Sequence, residues 1–215
     1  MKTDFLYYAL HQTGRLSNKK SPLLIFLHGY GLNEGDMLSL GPYFDEKELT
    51  FISVRAPYQL DMGGFAWFDI ERTPDKIYFD YEQAMESLVR LDELVQMLKI
   101  ELEPTKIMIA GFSQGATMAM AAGFQNRQDY SGVVALSGLF GEQMRPDDPE
   151  LLVELPVFVS HGIQDEVIPI EQARDSKVLL SDLPIALDYF EYDMGHTIAS
   201  DCLFQLRKWI FEKLD

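Results

Sequence analysis

The chain has 215 residues, 47% of them hydrophobic and 24% charged, and its 34 acidic against 18 basic side chains give a formal net charge of −16. That length suits one globular domain burying roughly 70% of its unfolded surface, so residues 1–215 are expected to form a single domain. The charge repels phosphate backbones and anionic headgroups, which argues against nucleic acid and against stable membrane association; otherwise acidity serves solubility and says little about substrate.

In chain order, Met1–Tyr8 lacks the long apolar core and small-residue cleavage site of a signal peptide, and no run approaches the ~20 apolar residues of a membrane span, so the cytoplasm is the expected compartment. Strand-like runs occupy Phe5–Leu10, Leu23–Leu27 and Thr50–Val54, with a hairpin turn predicted at His11-Gln12-Thr13-Gly14. An irregular excursion at about 56–79 follows, carrying Pro57, Gly63, Gly64, Trp67 and Pro74; long ordered loops of this kind are often functional. Asp80 is a plausible N-cap for a helix to Leu102, with Tyr81, Ala84, Met85, Leu88, Leu91, Val95, Leu98 and Leu102 on one face. An apolar strand at Lys106–Ala110 leads into Gly111-Phe112-Ser113-Gln114-Gly115 and then a helical run, Ala116–Ala122. Further strands are expected at Gly132–Leu136, Val157–Ser160 and Ala186–Tyr192. An irregular link at 144–155 and helices at 170–180 and near 200–214 complete the chain. Strands alternating with helices predict an α/β fold with a mostly parallel central sheet flanked by helices. Cys202, the only cysteine, rules out an internal disulfide or a cysteine metal cage and reads as a small buried hydrophobe.

Strand, G-x-S-x-G and helix together form the context of a nucleophile elbow, in which glycines let strand and helix pass closely while the serine projects from a tight turn. A serine hydroxyl needs a base. Of four histidines, His11 sits in the predicted surface turn, while His28, His161 and His196 follow strands, where ligand sites of parallel sheets gather. The order serine, acid, histidine excludes His28. His161 is set aside because no acid at another strand end is placed to serve it, which leaves His196 as base. The acid is expected at Asp165, in the loop directly after a strand, over Asp129, Asp182, Asp188 and the nearer competitor Asp193. An oxyanion hole needs backbone N–H donors; Gln114 after the serine and Tyr30 in Leu27-His28-Gly29-Tyr30-Gly31 are the candidates.

These blocks, with Ala56-Pro57, Trp67-Phe68-Asp69, Leu136-Ser137-Gly138, His161-Gly162 with Asp165 and Pro169, and Met194-Gly195-His196, resemble the carboxylesterase/phospholipase branch of the α/β-hydrolases, which includes acyl-protein thioesterases. They run in family order from residue 27 to 196. The resemblance implies an α/β-hydrolase fold with helices on both faces of the sheet, Ser113, Asp165 and His196 as a triad, Tyr30 and Gln114 amides as oxyanion donors, and no cofactor or metal. Two departures stand out: Ala116 where thioesterase members typically carry glycine, and Asp61–Ala66, which differs from the thioesterase version. A role on lipidated proteins is therefore not carried over.

The expected function is a serine hydrolase acting on a small-molecule carboxylic ester, or a thioester, through an acyl-enzyme. Phe65, Trp67, Phe68, Leu139, Phe140, Val167, Ile168 and Met194 lie beside the catalytic loops in sequence and are the candidates for an apolar acyl pocket, with ordinary core as the competing role. A peptidase or lactonase on the same scaffold, or a non-catalytic binding module, are the alternatives. Relatives often pair, so a homodimer is compatible with this reading, though no stretch argues for one.

Overall fold

The structure, a computed structural model, describes residues 5–12, 20–72 and 77–214. In chain order the strands are β1 (Tyr8–Gln12), β2 (Leu23–Leu27), β3 (Thr50–Val54), the short β4 (Tyr58–Gln59), β5 (Phe65–Ala66), β6 (Ile70–Arg72) and β7 (Ile77–Phe79), then β8 (Ile107–Phe112), β9 (Gly132–Leu136), β10 (Pro156–Gly162) and β11 (Ala186–Tyr192). The helices are α1 (Glu34–Leu38), α2 (Tyr81–Leu102), α3 (Gln114–Gln125), α4 (Ile170–Ser181) and α5 (Ser200–Leu214). Seven strands form one sheet in the order β1-β3-β2-β8-β9-β10-β11. Only β1 runs antiparallel, against β3; the other pairings are parallel.

The continuous apolar runs of the central strands reflect burial on both faces. Alternate residues separate cleanly. Leu23, Ile25 and Leu27 join Ile107, Ile109, Val133 and Val157 beneath α2, α3 and α4. Leu24 and Phe26 join Met108, Ala110, Val134 and Phe158 beneath α1 and α5. This is the α/β-hydrolase architecture. The strand order reverses between β2 and β8, so a crevice opens at their carboxyl ends, where ligands of open parallel sheets bind. The loop after β2 and the turn after β8 meet there.

Several boundaries differ from expectation for reasons of pairing. β1 lies later than Phe5–Leu10 because its ladder with β3 runs from Tyr8 opposite Val54 to Gln12 opposite Thr50; of the turn predicted at His11-Gln12-Thr13-Gly14, His11 and Gln12 are therefore strand, and Thr13-Gly14 lies outside the described residues. β10 extends two residues past Ser160, since His161 and Gly162 still pair with Glu191 and Tyr192. The excursion contains two antiparallel ribbons, β4 with β5 and β6 with β7. The link at 144–155 includes a 3-10 turn at Pro149–Leu152. α1 has a full capping box: the Asn33 side chain accepts from Gly35 N and Asp36 reaches back to Asn33 N. Asn33 followed three residues later by Asp36 is a signature of this start in the sequence itself. Asp80 does cap α2, accepting from Gln83 N at 3.0 Å. Of the predicted α2 stripe, Leu88 to Leu98 enters the core, whereas Tyr81 is 54% exposed. Cys202 is fully buried in α5 beside the Ser160 hydroxyl, and burial pushes its thiol up to about 11.

Candidate active site

β8 ends at Phe112 and α3 begins at Gln114, leaving Ser113 alone at the turn with φ 55° and ψ −119°. A non-glycine residue in this region stores strain and persists only where its surroundings over-determine it. Two glycines do so here. A Cβ on Gly111 would lie 2.1 Å from the Gly115 carbonyl oxygen, and one on Gly115 would lie 2.3 Å from that of Leu27. The turn can therefore close only without side chains at both positions.

Ser113 makes no side-chain cap to α3. Its hydroxyl meets His196 Nε2 at 2.9 Å, and His196 Nδ1 lies 2.7 Å from Asp165 Oδ2. The carboxylate can only accept, so it draws the proton to Nδ1 and leaves Nε2 to accept from the serine. The other Asp165 oxygen accepts from the backbone N–H groups of Val167 and Ile168 at 2.9 and 2.8 Å. Asp165 is 6% exposed, so its charge is held by directed donors rather than by water. The acid and histidine loops are tied by backbone bonds, Ile163 N to Tyr192 O at 2.8 Å and Gln164 N to Met194 O at 3.0 Å. The Phe112 ring packs 5.0 Å from the His196 ring.

The other candidate acids have other partners. Asp193 accepts from the Gln164 side chain at 2.6 Å, Asp188 from the Trp209 indole at 2.7 Å, Asp182 from Arg145 at 3.2 Å, and Asp129 from Lys99 and Gln96. His11 sits against Asp45 at 2.7 Å, far in sequence from these loops. His28 is fully buried. Its Nδ1–H donates to Gly29 O at 2.7 Å, its Nε2 accepts from Ala56 N at 3.0 Å, and burial lowers its pKa from 6.5.

Tyr30 and Gln114 line the same crevice as Ser113. Gln114 is the first residue of α3, whose leading amides have no intrahelical acceptor and carry the positive end of the helix dipole. The Gln114 side chain spans to the excursion: its carbonyl accepts from Trp67 N and its amide donates to Phe68 O. The Trp67 indole donates to the His28 carbonyl at 2.9 Å.

A cavity of about 1210 Å³ opens beside Ser113, Gln114, Tyr30 and His196. Its wall follows α3 from Gln114 through Met118 and Ala121 to Gln125, roughly 16 Å of helix at 1.5 Å per residue. Phe68, Leu139, Phe140, Val167 and Ile168 line it, as do Met85 and Leu88 of α2. Phe65, Trp67 and Met194 are not in its wall. Phe65 faces the Arg55 guanidinium at 4.6 Å; Trp67 is fully buried beneath the excursion; and Met194 packs into the core under α5, its sulfur accepting from Ala199 N. These three adjoin the catalytic loops in sequence, but their side chains turn away from the crevice. The sequence reading missed Met85, Leu88, Met118 and Ala121, whose helical spacing signals only an apolar face. Among the described residues no group of three His, Cys, Asp or Glu side chains could hold a metal, and no helix is long and apolar enough to cross a membrane.

Residues 12–213 match the family model described as phospholipase/carboxylesterase. The chain is 30% identical over 210 residues to acyl-protein thioesterase 1 of Saccharomyces cerevisiae, covering 89% of this chain and 92% of the yeast protein. The crystal structure of esterase PE8 superposes with a TM-score of 0.84 at 26% identity, covering 98% of this chain and all of that one. The carboxylesterase of Bacillus cereus superposes with a TM-score of 0.82 over 98% of this chain and 95% of its own; at 22% identity that likeness is one of fold.

Proposed function

Because the chain belongs to the phospholipase/carboxylesterase family of hydrolases, we propose that it cleaves carboxylic esters, and thioesters as a second class, through an acyl-enzyme formed on Ser113. The observation that carries this reading is the continuous row from Ser113 Oγ through the His196 ring to Asp165, with steps of 2.9 and 2.7 Å. As Ser113 Oγ bonds to the substrate carbonyl carbon, its proton passes to His196 Nε2, and Asp165 holds the resulting imidazolium in place. The Tyr30 and Gln114 amides take the oxyanion; one such donor is typically worth ~3 kcal/mol of barrier. Collapse breaks the carbon–oxygen or carbon–sulfur bond, and the leaving group takes the proton from Nε2. A water then gives a proton to Nε2 while attacking the acyl carbon; Ser113 departs with that proton and the acid is released.

The apolar wall along α3 supports an acyl chain lying in the cavity with its carbonyl at Ser113. Three side chains supply the covalent bond and both proton transfers, so the reading assigns no cofactor. It treats the chain as one catalytic domain working in the cytoplasm on a small-molecule ester. The single buried cysteine and the charge of −16, which disfavours nucleic acid and anionic lipid, support that placement.

A fluorophosphonate probe and p-nitrophenyl esters test the reading. The wild-type protein is expected to label at Ser113 and turn over ester, and Ser113→Ala to lose both with unchanged thermal unfolding. A binding module would not label. Sustained turnover in a clean Ser113→Ala preparation refutes the assignment.

A further inference from the structure

We infer that His161 is a positioning residue for the acid: a second imidazole, carried by β10, that holds the Asp165 loop through the Ile168 carbonyl and stands against the same carboxylate oxygen that meets His196. The inference rests on the reading of Ser113, His196 and Asp165 above.

His161 Nε2 lies 2.8 Å from the Ile168 carbonyl oxygen and 3.3 Å from Asp165 Oδ2. Both neighbours are pure acceptors, so Nε2 must carry the hydrogen; it donates to Ile168 O, with Asp165 Oδ2 close beside it. Asp165 Oδ2 thus accepts the His196 Nδ1–H hydrogen bond at 2.7 Å and lies in polar contact with His161 Nε2 at 3.3 Å. Nδ1 of His161 is buried with no hydrogen-bond partner in the protein. The ring is fully buried, and its polar contacts run to Ile168 and Asp165.

What it holds is the loop after β10, which backbone bonds already tie to the histidine loop. Asp165 is the buried residue of an otherwise solvent-facing turn in which Ile163 is 49% and Val167 44% exposed. His161, in contrast, sits in a strand paired on both sides, opposite Glu191 of β11 and one step beyond the Ser160–Leu136 pair with β9. Ile168 completes a closed circuit: its N–H donates to Asp165 Oδ1 at 2.8 Å, and its carbonyl accepts from His161. The rigidity of the sheet is thereby passed to a carboxylate that must keep its angle to His196 while the latter's charge changes. Partners of this outer kind orient the residues that react and are sensitive to small displacements.

Substitution separates this role from packing. The amide nitrogen of glutamine stands near the position of Nε2, whereas that of asparagine stands near Nδ1. His161→Gln is therefore expected to keep kcat for p-nitrophenyl butyrate within about threefold of wild type. His161→Leu is expected to lower kcat roughly 10- to 100-fold with KM little changed. The downfield proton resonance of the His196–Asp165 hydrogen bond, recorded on the resting protein without substrate, is expected to persist in His161→Gln and to shift or broaden in His161→Leu. If His161→Leu does not fold, His161→Asn takes its place with the same expectation. A folded leucine or asparagine variant with wild-type kcat and an unchanged resonance overturns the inference. So does an equal loss of rate in the glutamine and leucine variants with the resonance intact. The resonance needs no turnover, so it tests His161 even if the wild-type protein fails to hydrolyse esters, an outcome that counts against the proposed function instead.

Discussion

The side-chain carbonyl of Gln114 accepts the backbone N–H of Trp67 at 2.9 Å, while its amide nitrogen donates to the Phe68 carbonyl at 2.6 Å. Two residues before Trp67, Phe65 accepts from Gly31 N and donates to Leu32 O, both at 2.9 Å. Gly31 and Leu32 directly follow Tyr30. Residues 65–68 therefore strap the loop of Tyr30 to Gln114, the two proposed oxyanion donors.

Gln114→Ala keeps the backbone N–H and removes only the strap, leaving Trp67 N and Phe68 O buried without partners. We expect kcat for a short p-nitrophenyl ester to fall on the order of tenfold, because misplaced donors weaken transition-state binding more than substrate binding. Steady-state kinetics check this. A loss confined to KM would mean that the strap shapes the pocket rather than the oxyanion hole.

Asp165 and Asp193 lie on adjoining loops, yet Asp193 spends its carboxylate on Gln164 while Asp165 meets the His196 ring. Asp165→Asn, which cannot hold the proton on Nδ1, is expected to reduce kcat on the order of a thousandfold or more. Asp193→Asn is expected to stay within about twofold of wild type. The reverse ordering, read from kcat on the same ester, would reassign the acid.

Ala121 stands eight residues along α3 from Ser113 in the cavity wall, about 12 Å down the helix axis. Ala121→Phe is expected to fill the channel at that depth. In a series of p-nitrophenyl esters of increasing acyl length, short esters should keep their kcat/KM while long ones lose roughly tenfold or more. Uniform loss across the series would place the acyl chain elsewhere.

Burial holds the His28 imidazole below its ordinary 6.5. Below that pH the unfolded chain binds the proton that the folded protein resists, so stability is fully present above 6.5 and declines as pH falls toward the folded value. A proton added at Nε2 would also face the Ala56 N–H it now accepts. Thermal unfolding across roughly one pH unit on either side of 6.5 should show this fall, flattened in His28→Gln. A variant that declines as steeply as wild type would assign the acid sensitivity to another group.

The elements around Ser113 were legible because their causes are local. Lys106–Ala110 is apolar enough for a strand buried on both faces, and Gly111 and Gly115 are the only side-chain-free solution to contacts of 2.1 and 2.3 Å. Asp80 announced α2 by the same kind of short-range bond. Asn33 and Asp36 announced α1 equally well and were overlooked. Chain order alone separated His196 from His28, since the fold's connectivity places serine, acid and histidine in sequence.

Other features depend on which way a side chain points once distant segments meet. Phe65, Trp67 and Met194 adjoin the active loops in sequence but face Arg55, the layer beneath the excursion and the α5 core; Met118 and Ala121 face the cavity from what reads only as an apolar helix. In the sequence His161 reads only as a rival base; the two-residue extension of β10 brings its ring to Asp165. Sequence by itself determined the architecture, the setting of Ser113 and the histidine and carboxylate to which it is joined, because periodicity, glycine sterics and strand order are properties of neighbours along the chain. Tertiary structure decided what surrounds that carboxylate, what ties the loop of Tyr30 to Gln114 and which apolar side chains line the cavity, because those outcomes follow from register and side-chain direction between segments far apart in sequence.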